Sequence, residues 1–226
     1  MNLLQRIHGN TQVEPHSHGN ETHSHKAPFW VRYYDTIVNV ITFGKAKTMY
    51  QQTVQLAELQ PGQAVLDIGC GTGHLLLEAE KVIGHQGTAV GLDVEPAMIA
   101  QARKHAAKKH SHATFDVASI DQIPYPDNSF DVAIQTLVFH HLNEAQKEKG
   151  LVELSRVLKP NGRLLIVDLN PSRRGIATSL PGHNRLEQVD HVLTEVVQRM
   201  ETAGFTDVQA GPHPNKQMSY AIGVKN

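Results

Sequence analysis

Aliphatic runs alternate with amphipathic stretches over most of the chain. Apolar runs such as AVLDIG, TAVGLDV and RLLIVDL are separated by segments in which apolar residues recur every three or four positions, such as HLLLEAEKVI and EAQKEKGLVELSRVL. A continuous aliphatic run is typical of a strand buried on both faces, and a helix between two strands lets them run parallel. The pattern therefore predicts an α/β fold in which helices cover both faces of a doubly wound, mostly parallel sheet.

The two ends of the chain depart from this alternation. Residues 1–27 are polar and contain HSHGNETHSH, so we interpret them as a flexible, His-rich arm. Residues 28–60 contain two helical patterns, a lead-in to a core at residues 64–168. Residues 189–226 hold a last helix and two strand-like runs joined only by PHPNK, which predicts an antiparallel hairpin. We expect residues 28–226 to form one domain.

The segment VLDIGCGTG predicts a tight turn from a strand into a helix. The strand ends with Asp67, and Gly69, Gly71 and Gly73 let the backbone approach a ligand closely at the start of the helix. A dinucleotide-binding turn has the spacing G-x-G-x-x-G, which would place a glycine where this chain has His74. The spacing is G-x-G-x-G, so a nicotinamide-dependent dehydrogenase is the weaker interpretation.

Two further carboxylates end the strands that follow along the chain. Asp93 lies at the end of TAVGLDV and Asp116 at the end of ATFDV, and ligands of open α/β sheets bind at this edge. A carboxylate can accept both hydroxyls of a ribose, or a hydrogen bond from an exocyclic amine. Met98 follows Pro96 on the next helix, where it either contacts an adenine face or packs in the core.

Charge and composition narrow the classes of function. Lysine and arginine number 21 against 22 acidic residues, so the net charge is −1, and nothing indicates a nucleic-acid partner. No stretch approaches the ~20 apolar residues that span a bilayer. The single cysteine, Cys70, excludes an internal disulfide and favours a cytoplasmic protein. Its place near a helix start can lower a thiol pKa, although small size is the simpler reason for it. The oligomeric state is not predicted.

Four segments resemble the successive motifs of class I S-adenosylmethionine-dependent methyltransferases: VLDIGCGTG, GLDVEPAMIAQAR, PYPDNSFDVAIQTLVFHHL and LSRVLKPNGRLLIVD. In addition, YDTIVNVITFGKAKTMYQQTVQLAELQPGQ resembles the lead-in of the quinone-biosynthesis C-methyltransferases, the UbiE-like branch. The resemblance implies a Rossmann-like sheet of seven strands with an antiparallel C-terminal strand. It also implies S-adenosylmethionine as cofactor, S-adenosylhomocysteine as product and a small-molecule methyl acceptor.

The same resemblance implies roles for individual residues. The glycine turn would hold the methionine part of the cofactor, Asp93 the ribose and Asp116 the adenine amine. Gln135 and Thr136 would face the methionine end, and Tyr34 in the lead-in could close over it. The implied cofactor-binding set is Tyr34, Asp67, Gly69, Cys70, Gly71, Gly73, Asp93, Val94, Met98, Asp116, Val117, Gln135 and Thr136.

Two histidines and a group of cationic residues are candidates for binding or activating the methyl acceptor. His140 and His141 follow the strand FDVAIQT closely, so either could act as a base or orient the acceptor, or they could be packed and solvated histidines. Arg173, Arg174 and His183 come after RLLIVDL at the same predicted sheet edge. They could bind an anionic acceptor, or they could be solvated loop charges.

The arm contains two His-x-His pairs, His16 with His18 and His23 with His25. Residues two apart in an extended chain point to one side, so each pair could chelate a divalent metal ion. No carboxylate stands at a coordinating spacing, so we do not expect this ion to be catalytic. A solvated linker that binds no metal is the alternative.

Together the motifs predict an enzyme that methylates a small molecule with S-adenosylmethionine (EC 2.1.1.-). Residues 170–188 are few for the lid that quinone methylators place around a prenylated ring, which argues against a quinone. A quinone-like or phenolic ring, a lipid head group and a small amine stay open as acceptors. Nucleic-acid amino methylation is disfavoured because the chain reads QTLVFHHL where a proline-rich polar motif is expected. The alternative function is a metal-handling protein that uses the arm on a methyltransferase fold.

Overall fold

A mixed sheet of seven strands organises the part of the chain that the computed structural model describes, residues 29–169 and 187–226. Strands β1 to β5 run parallel, and β7 is antiparallel to both β5 and β6. The order across the sheet is β3-β2-β1-β4-β5-β7-β6, which confirms the predicted doubly wound fold with its C-terminal hairpin. The strands are β1 (Ala64–Ile68), β2 (Thr88–Asp93), β3 (Thr114–Val117), β4 (Phe130–Thr136), β5 (Leu158–Leu169), β6 (Phe205–Pro212) and β7 (Met218–Lys225).

Six α-helices accompany the strands in the described ranges. They are α1 (Phe29–Ile41), α2 (Ala46–Leu56), α3 (His74–Ile83), α4 (Pro96–Lys108), α5 (Glu144–Val157) and α6 (Glu187–Thr202), with a 3₁₀ turn at Phe139–His141. Local sequence explains two of the starts. Pro96 is at the first turn of α4, where its fixed φ suits a helix, and the Glu95 side chain accepts the Ala97 N–H. Asn143 and Gln146 form a capping box at α5.

Side chains of each buried strand alternate between two apolar layers. On one side, Val65 of β1 and Ile134 of β4 pack in a cluster with residues of α2, α3 and α4. On the other side, Leu66 and Leu92 pack with residues of α5 and α6. This two-sided burial is the reason that the strands read as continuous aliphatic runs.

Strand β5 begins earlier than the sequence predicts. The apolar run starts at Arg163, yet the strand extends back to Leu158, which pairs with Phe130 of β4. The pairing register shifts between Phe130 and Val132, and Asn161 has a positive φ of 62°. The polar segment KPNG therefore belongs to a strand because a bulge accommodates it.

The link between β6 and β7 packs against α2. His213 is 2% exposed, and its Nε2 lies 3.2 Å from Thr53 Oγ1. The backbone N–H of Asn215 donates to His213 Nδ1 at 2.9 Å, so Nε2 is the nitrogen that carries the proton. Burial lowers the pKa of His213 to about 4. A segment that reads as a polar turn thus holds one buried, neutral imidazole.

Several predicted residues lie outside the described ranges. They are His16, His18, His23 and His25 of the arm, and Arg173, Arg174 and His183 after β5. The boundaries of the arm and of the domain stay predictions. Among the described helices, none combines the length and apolar character needed to span a bilayer.

Candidate active site

The three predicted acids lie at the carboxyl ends of neighbouring strands: Asp67 on β1, Asp93 on β2 and Asp116 on β3. Asp67 is 2% exposed, and its Oδ2 has no hydrogen-bond partner in the described structure. Burial, reinforced by the negative charge of Asp93, raises the pKa of the Asp67 carboxyl to about 8. A buried acceptor without a donor is costly, so this edge of the sheet is prepared for a polar ligand.

The Asp93 carboxylate ties the glycine turn to β2. Its Oδ2 accepts the Gly71 N–H at 2.8 Å, and its Oδ1 accepts the Glu95 N–H at 2.9 Å. Burial raises the pKa of the Asp93 carboxyl, while these two bonds oppose the rise. Each carboxylate oxygen has two lone pairs, so both retain capacity for the hydroxyls of a ribose.

All three glycines of the turn have left-handed backbone angles, with φ of 69° at Gly69, 52° at Gly71 and 81° at Gly73. A Cβ at Gly69 would lie 2.2 Å from the Val138 side chain, and one at Gly71 would lie 3.1 Å from the Tyr34 ring. Glycine is therefore required both by conformation and by close contact. The segments that approach the turn are the link that follows β4 and the lead-in helix α1.

A narrow cavity of about 20 Å³ lies beside the glycine turn, lined among others by Tyr34, Asp67, Thr136 and Leu137. Thr136 Oγ1 is buried there and, like Asp67 Oδ2, has no partner among residues 29–169 and 187–226. Leu137 has a φ of 61°, a strained conformation for a branched side chain and of the kind that gathers at functional sites. The volume holds about one water molecule, so a larger group enters only if lining side chains move.

The ring of Tyr34 lies at the glycine turn and lines the cavity, so it is placed to cover a ligand there. Burial, with further contributions from the charges of Asp93, Asp67 and Asp35, raises the pKa of Tyr34 to about 12. Its hydroxyl is therefore protonated at neutral pH and can donate a hydrogen bond. This position agrees with the expectation that Tyr34 closes over the methionine end, which stays a prediction.

Gln135 and Thr136 lie on opposite faces of the sheet. Gln135 pairs with Ile68, whose side chain belongs to the apolar cluster on the α5 and α6 side. Thr136 instead lines the cavity on the side of Asp67. Both amide atoms of Gln135 are buried and have no partner in the part of the chain that the structure describes, but its side chain does not line this cavity.

At the carboxyl ends of β2 and β3, exposed apolar side chains lie beside a hydrogen-bond acceptor. Val94 is 69% exposed and Val117 is 50% exposed, although both are aliphatic. Next to them, the exposed Asp116 accepts bonds from Arg103 at 3.1 Å and from the Tyr125 hydroxyl at 3.3 Å. A flat, apolar ring with an exocyclic amine fits this combination. Met98 is buried, which favours its interpretation as a core residue.

His140 forms a dyad with Asp168 at the ends of β4 and β5. His140 Nδ1 lies 2.6 Å from Asp168 Oδ1, and the His140 backbone N–H donates to Asp168 Oδ2 at 3.0 Å. Because an ionised carboxylate can only accept, Nδ1 carries the proton and Nε2 is free to take one. The ring of His141 lies 3.9 Å from that of His140. Burial and the proximity of His140 lower the pKa of His141.

A family model described as a methyltransferase domain matches residues 59–210, from the end of the lead-in to β6. The chain belongs to this family. The matched range includes the glycine turn, the three acids and the dyad, whose roles stay predictions. The predicted class I methyltransferase is confirmed at this level.

Curated relatives support the predicted resemblance to the UbiE-like branch. The chain is 32% identical over 139 residues to the ubiquinone/menaquinone biosynthesis C-methyltransferase UbiE of Yersinia enterocolitica, across 61% of this chain and 55% of that protein. UbiE of Yersinia pestis shows the same figures. The chain thus matches about half the length of these relatives.

Solved structures share the fold over more of the chain. An S-adenosylmethionine-dependent methyltransferase from Aquifex aeolicus has a TM-score of 0.69 and 26% identity, covering 87% of this chain and 97% of its own. The cyclase SpnF has a TM-score of 0.61 at 20% identity, covering 80% of each chain. A cyclase on this fold means that the fold alone does not establish methyl transfer.

Two features of the candidate site bear on the sequence analysis: the thiol of Cys70 and the position of Asp168. Cys70 does not have a lowered pKa, because burial and the charges of Asp67 and Asp93 raise the pKa of its thiol. It is a small, protonated filler of the turn. Asp168 was not singled out, although it follows the apolar run RLLIV as Asp67 follows its own strand. The signal used for the other acids would have found it.

Proposed function

We propose that this methyltransferase transfers the methyl group of S-adenosylmethionine to a small molecule. The observation that carries the proposal is the pair of buried, unpartnered oxygens, Asp67 Oδ2 and Thr136 Oγ1, at the glycine turn. Each such atom costs about 1–3 kcal/mol unless a ligand supplies a partner. The ammonium and carboxylate of a methionine moiety offer partners of both kinds. When bound, the cofactor supplies an electrophilic methyl group on a sulfonium.

Other residues fit the rest of this cofactor. Asp93 would accept the ribose hydroxyls while it continues to hold the Gly71 N–H. Val94 and Val117 would cover the adenine ring, and Asp116 would accept its amine. Tyr34 would close over the methionine end and exclude water, since its ring already contacts the turn.

His140 is the base in this proposal. Asp168 holds the ring through Nδ1, which leaves Nε2 to remove a proton from the acceptor. Methyl transfer is an in-line displacement, so alignment of the acceptor and removal of one proton are the main tasks of the protein. The proton would stay on His140 Nε2, and the negative charge of Asp168 would stabilise the imidazolium that forms.

A phenolic or hydroquinone ring is the acceptor class that we favour. Such a ring becomes a stronger nucleophile when a base removes its hydroxyl proton, which is the chemistry that the dyad offers. The curated relatives are named for ubiquinone and menaquinone biosynthesis, which points to the same ring chemistry. The segment that bears on a prenyl tail, residues 170–188, lies almost wholly outside the described ranges. A lipid head group or a small amine would be the competing acceptors.

Calorimetric titration of the full-length chain tests the cofactor, with NAD as the matched control ligand. We expect micromolar binding of S-adenosylmethionine and of S-adenosylhomocysteine, and none of NAD. A panel of phenols, hydroquinones, lipid head groups and amines then tests the acceptor by mass gain of one methyl group. Failure of both cofactor forms to bind would overturn the function. Methylation of amines alone would overturn the acceptor class.

A further inference from the structure

One carboxylate oxygen and two imidazole nitrogens lie close together beside the cavity at the glycine turn. They belong to Asp35, His74 and His105. One ligand atom from each residue lies within 4.8 Å of the other two. Within residues 29–169 and 187–226, no other group of three His, Cys, Asp or Glu side chains meets this criterion. The three residues come from α1, the start of α3 and α4, so an ion bound here would join three helices.

The separations of these atoms approach those around a zinc ion. His74 Nε2 lies 3.4 Å from Asp35 Oδ2, and His105 Nε2 lies 4.0 Å from the same oxygen. Zinc binds nitrogen and oxygen at about 2.0–2.1 Å, so two ligands of a tetrahedral ion are about 3.4 Å apart. The first distance already matches. The second requires His105 to approach by less than about 1 Å, which small side-chain rotations provide.

Hydrogen bonds outside the group leave its metal-binding atoms available. His105 Nδ1 lies 3.0 Å from the Thr72 carbonyl oxygen, which can only accept, so the proton is on Nδ1 and Nε2 keeps its lone pair. Metal-binding histidines show this same arrangement with a carbonyl. The Thr72 hydroxyl donates to Asp35 Oδ1 at 2.5 Å, which leaves Oδ2 towards the histidines. Gln101 Nε2, 3.3 Å from His105 Nε2, is the competing partner.

The surroundings favour a cation and provide access. The two imidazole rings lie 4.6 Å apart at a tilt of 32°. A divalent ion between them would also partner the Asp35 carboxylate. A groove of about 510 Å³, lined among others by Asp35, His74 and Glu78, opens beside them. It gives an ion a path and leaves space for a water ligand.

We propose that Asp35, His74 and His105 bind one divalent transition-metal ion, with zinc as the expected occupant and water in the fourth position. Asp35 follows Tyr34, whose ring contacts the glycine turn. An ion at this site would therefore fix α1 against α3 and α4, with Tyr34 over the turn. Metal binding itself does not depend on the proposed methyl transfer, so the two ideas fail separately.

Zinc titration of the full-length chain against a chromophoric chelator tests the site. The parent for these measurements carries H16S, H18S, H23S and H25S, which removes the His-x-His pairs of the arm. We expect one zinc ion per chain, and a visible cobalt spectrum typical of nitrogen and oxygen ligands. Loss of stoichiometric binding in this parent would show that the arm was the only metal site and would overturn the proposal.

Variants of two of the three ligands test which side chains bind zinc. D35N and H105Q should each weaken zinc binding by more than about 100-fold. Loss of a residue that only hydrogen-bonds to a metal ligand weakens binding by at most about 100-fold, so a larger effect identifies a ligand. The matched control is H85Q with H112Q, because these two rings lie 5.1 Å apart but belong to no group of three ligands in the described structure. Circular dichroism checks that each variant folds, and D35N keeps an oxygen for Thr72. Unchanged affinity in folded D35N would overturn the assignment.

Hydrogen exchange tests the consequence for α1. Zinc should slow amide exchange across residues 29–41 in the parent by at least about 10-fold, and it should not do so in D35N. The control segment is α5, which contributes no ligand. Tight zinc binding without slower exchange in α1 would overturn the fixing of that helix.

Discussion

Replacement of Asp67 by asparagine should stabilise the ligand-free protein while it weakens cofactor binding. Burial raises the pKa of this carboxyl from 3.8 to about 8, so the folded protein holds a proton that the unfolded chain has released between these pH values. The native state is therefore destabilised as pH rises from about 4 towards 8. At pH 7 the difference is about 3 pKa units, or about 4 kcal/mol at 1.36 kcal/mol each.

Asparagine removes this charging cost but introduces an amide N–H that lacks an acceptor, at about 1–3 kcal/mol. The net effect at pH 7 is then a gain of about 1–3 kcal/mol in the free energy of unfolding. For a chain of this size, each kcal/mol shifts Tm by about 2–4 °C. Below pH 4 the gain should vanish or change sign, because aspartate is then protonated in both states.

Thermal unfolding of D67N and of the unsubstituted chain between pH 4 and pH 8 provides the assay. The exposed Asp207 supplies a matched control, since D207N makes the same chemical change away from the site at a φ of 51° that asparagine tolerates. We expect the Tm advantage of D67N to grow with pH and that of D207N to stay flat. A pH-independent difference would refute the reasoning. Calorimetry should show weaker S-adenosylmethionine binding by D67N in the same buffers.

Three other predictions address neighbouring features. D93A should lower S-adenosylmethionine affinity by at least about 30-fold, or 2 kcal/mol, because it removes a charged acceptor for the ribose hydroxyls and leaves the Gly71 N–H without its acceptor. Unchanged binding by calorimetry would exclude Asp93 from the site. D168N should lower kcat by about 100-fold with unchanged cofactor affinity, and the double variant with H140Q should lose little more, as a shared role demands. His213 has a pKa lowered to about 4, so stability should fall as pH drops from 6.5 to 4 by about 3 kcal/mol, and urea unfolding of H213Q should lack that dependence.

Elements whose signals are local could be predicted from the sequence. Helix α3 has the predicted bounds, His74–Ile83, because Gly73 and Gly84 flank an amphipathic run. The positions of Asp67 and Asp93 at one edge followed from the parallel strands, since carboxyl ends of parallel strands meet at one edge. The early start of β5 was not predictable, because it rests on the pairing of Leu158 with Phe130 of β4 across the bulge that contains the polar segment KPNG.

The contacts that shape the site depend on residues distant along the chain. The resemblance placed Tyr34 near the methionine end of the cofactor, but the residue pattern does not indicate that its ring packs on Gly71, or that Val138 occupies the space at Gly69. The burial of His213 likewise depends on Thr53, 160 positions away. Periodicity reports which face of an element is apolar, but not which partner covers it.

The buried polar atoms of the candidate site link ligand binding to the stability of the fold. Asp67 and Thr136 each carry a polar atom without a partner in the described structure, and three left-handed glycines hold the turn beside them. A sequence selected for stability alone would place apolar or paired side chains at these positions. Their cost is offset only when a ligand supplies the missing partners, so ligand binding and stability should be coupled through the same atoms. This coupling explains why the substitution expected to stabilise the free protein, D67N, is also expected to weaken cofactor binding.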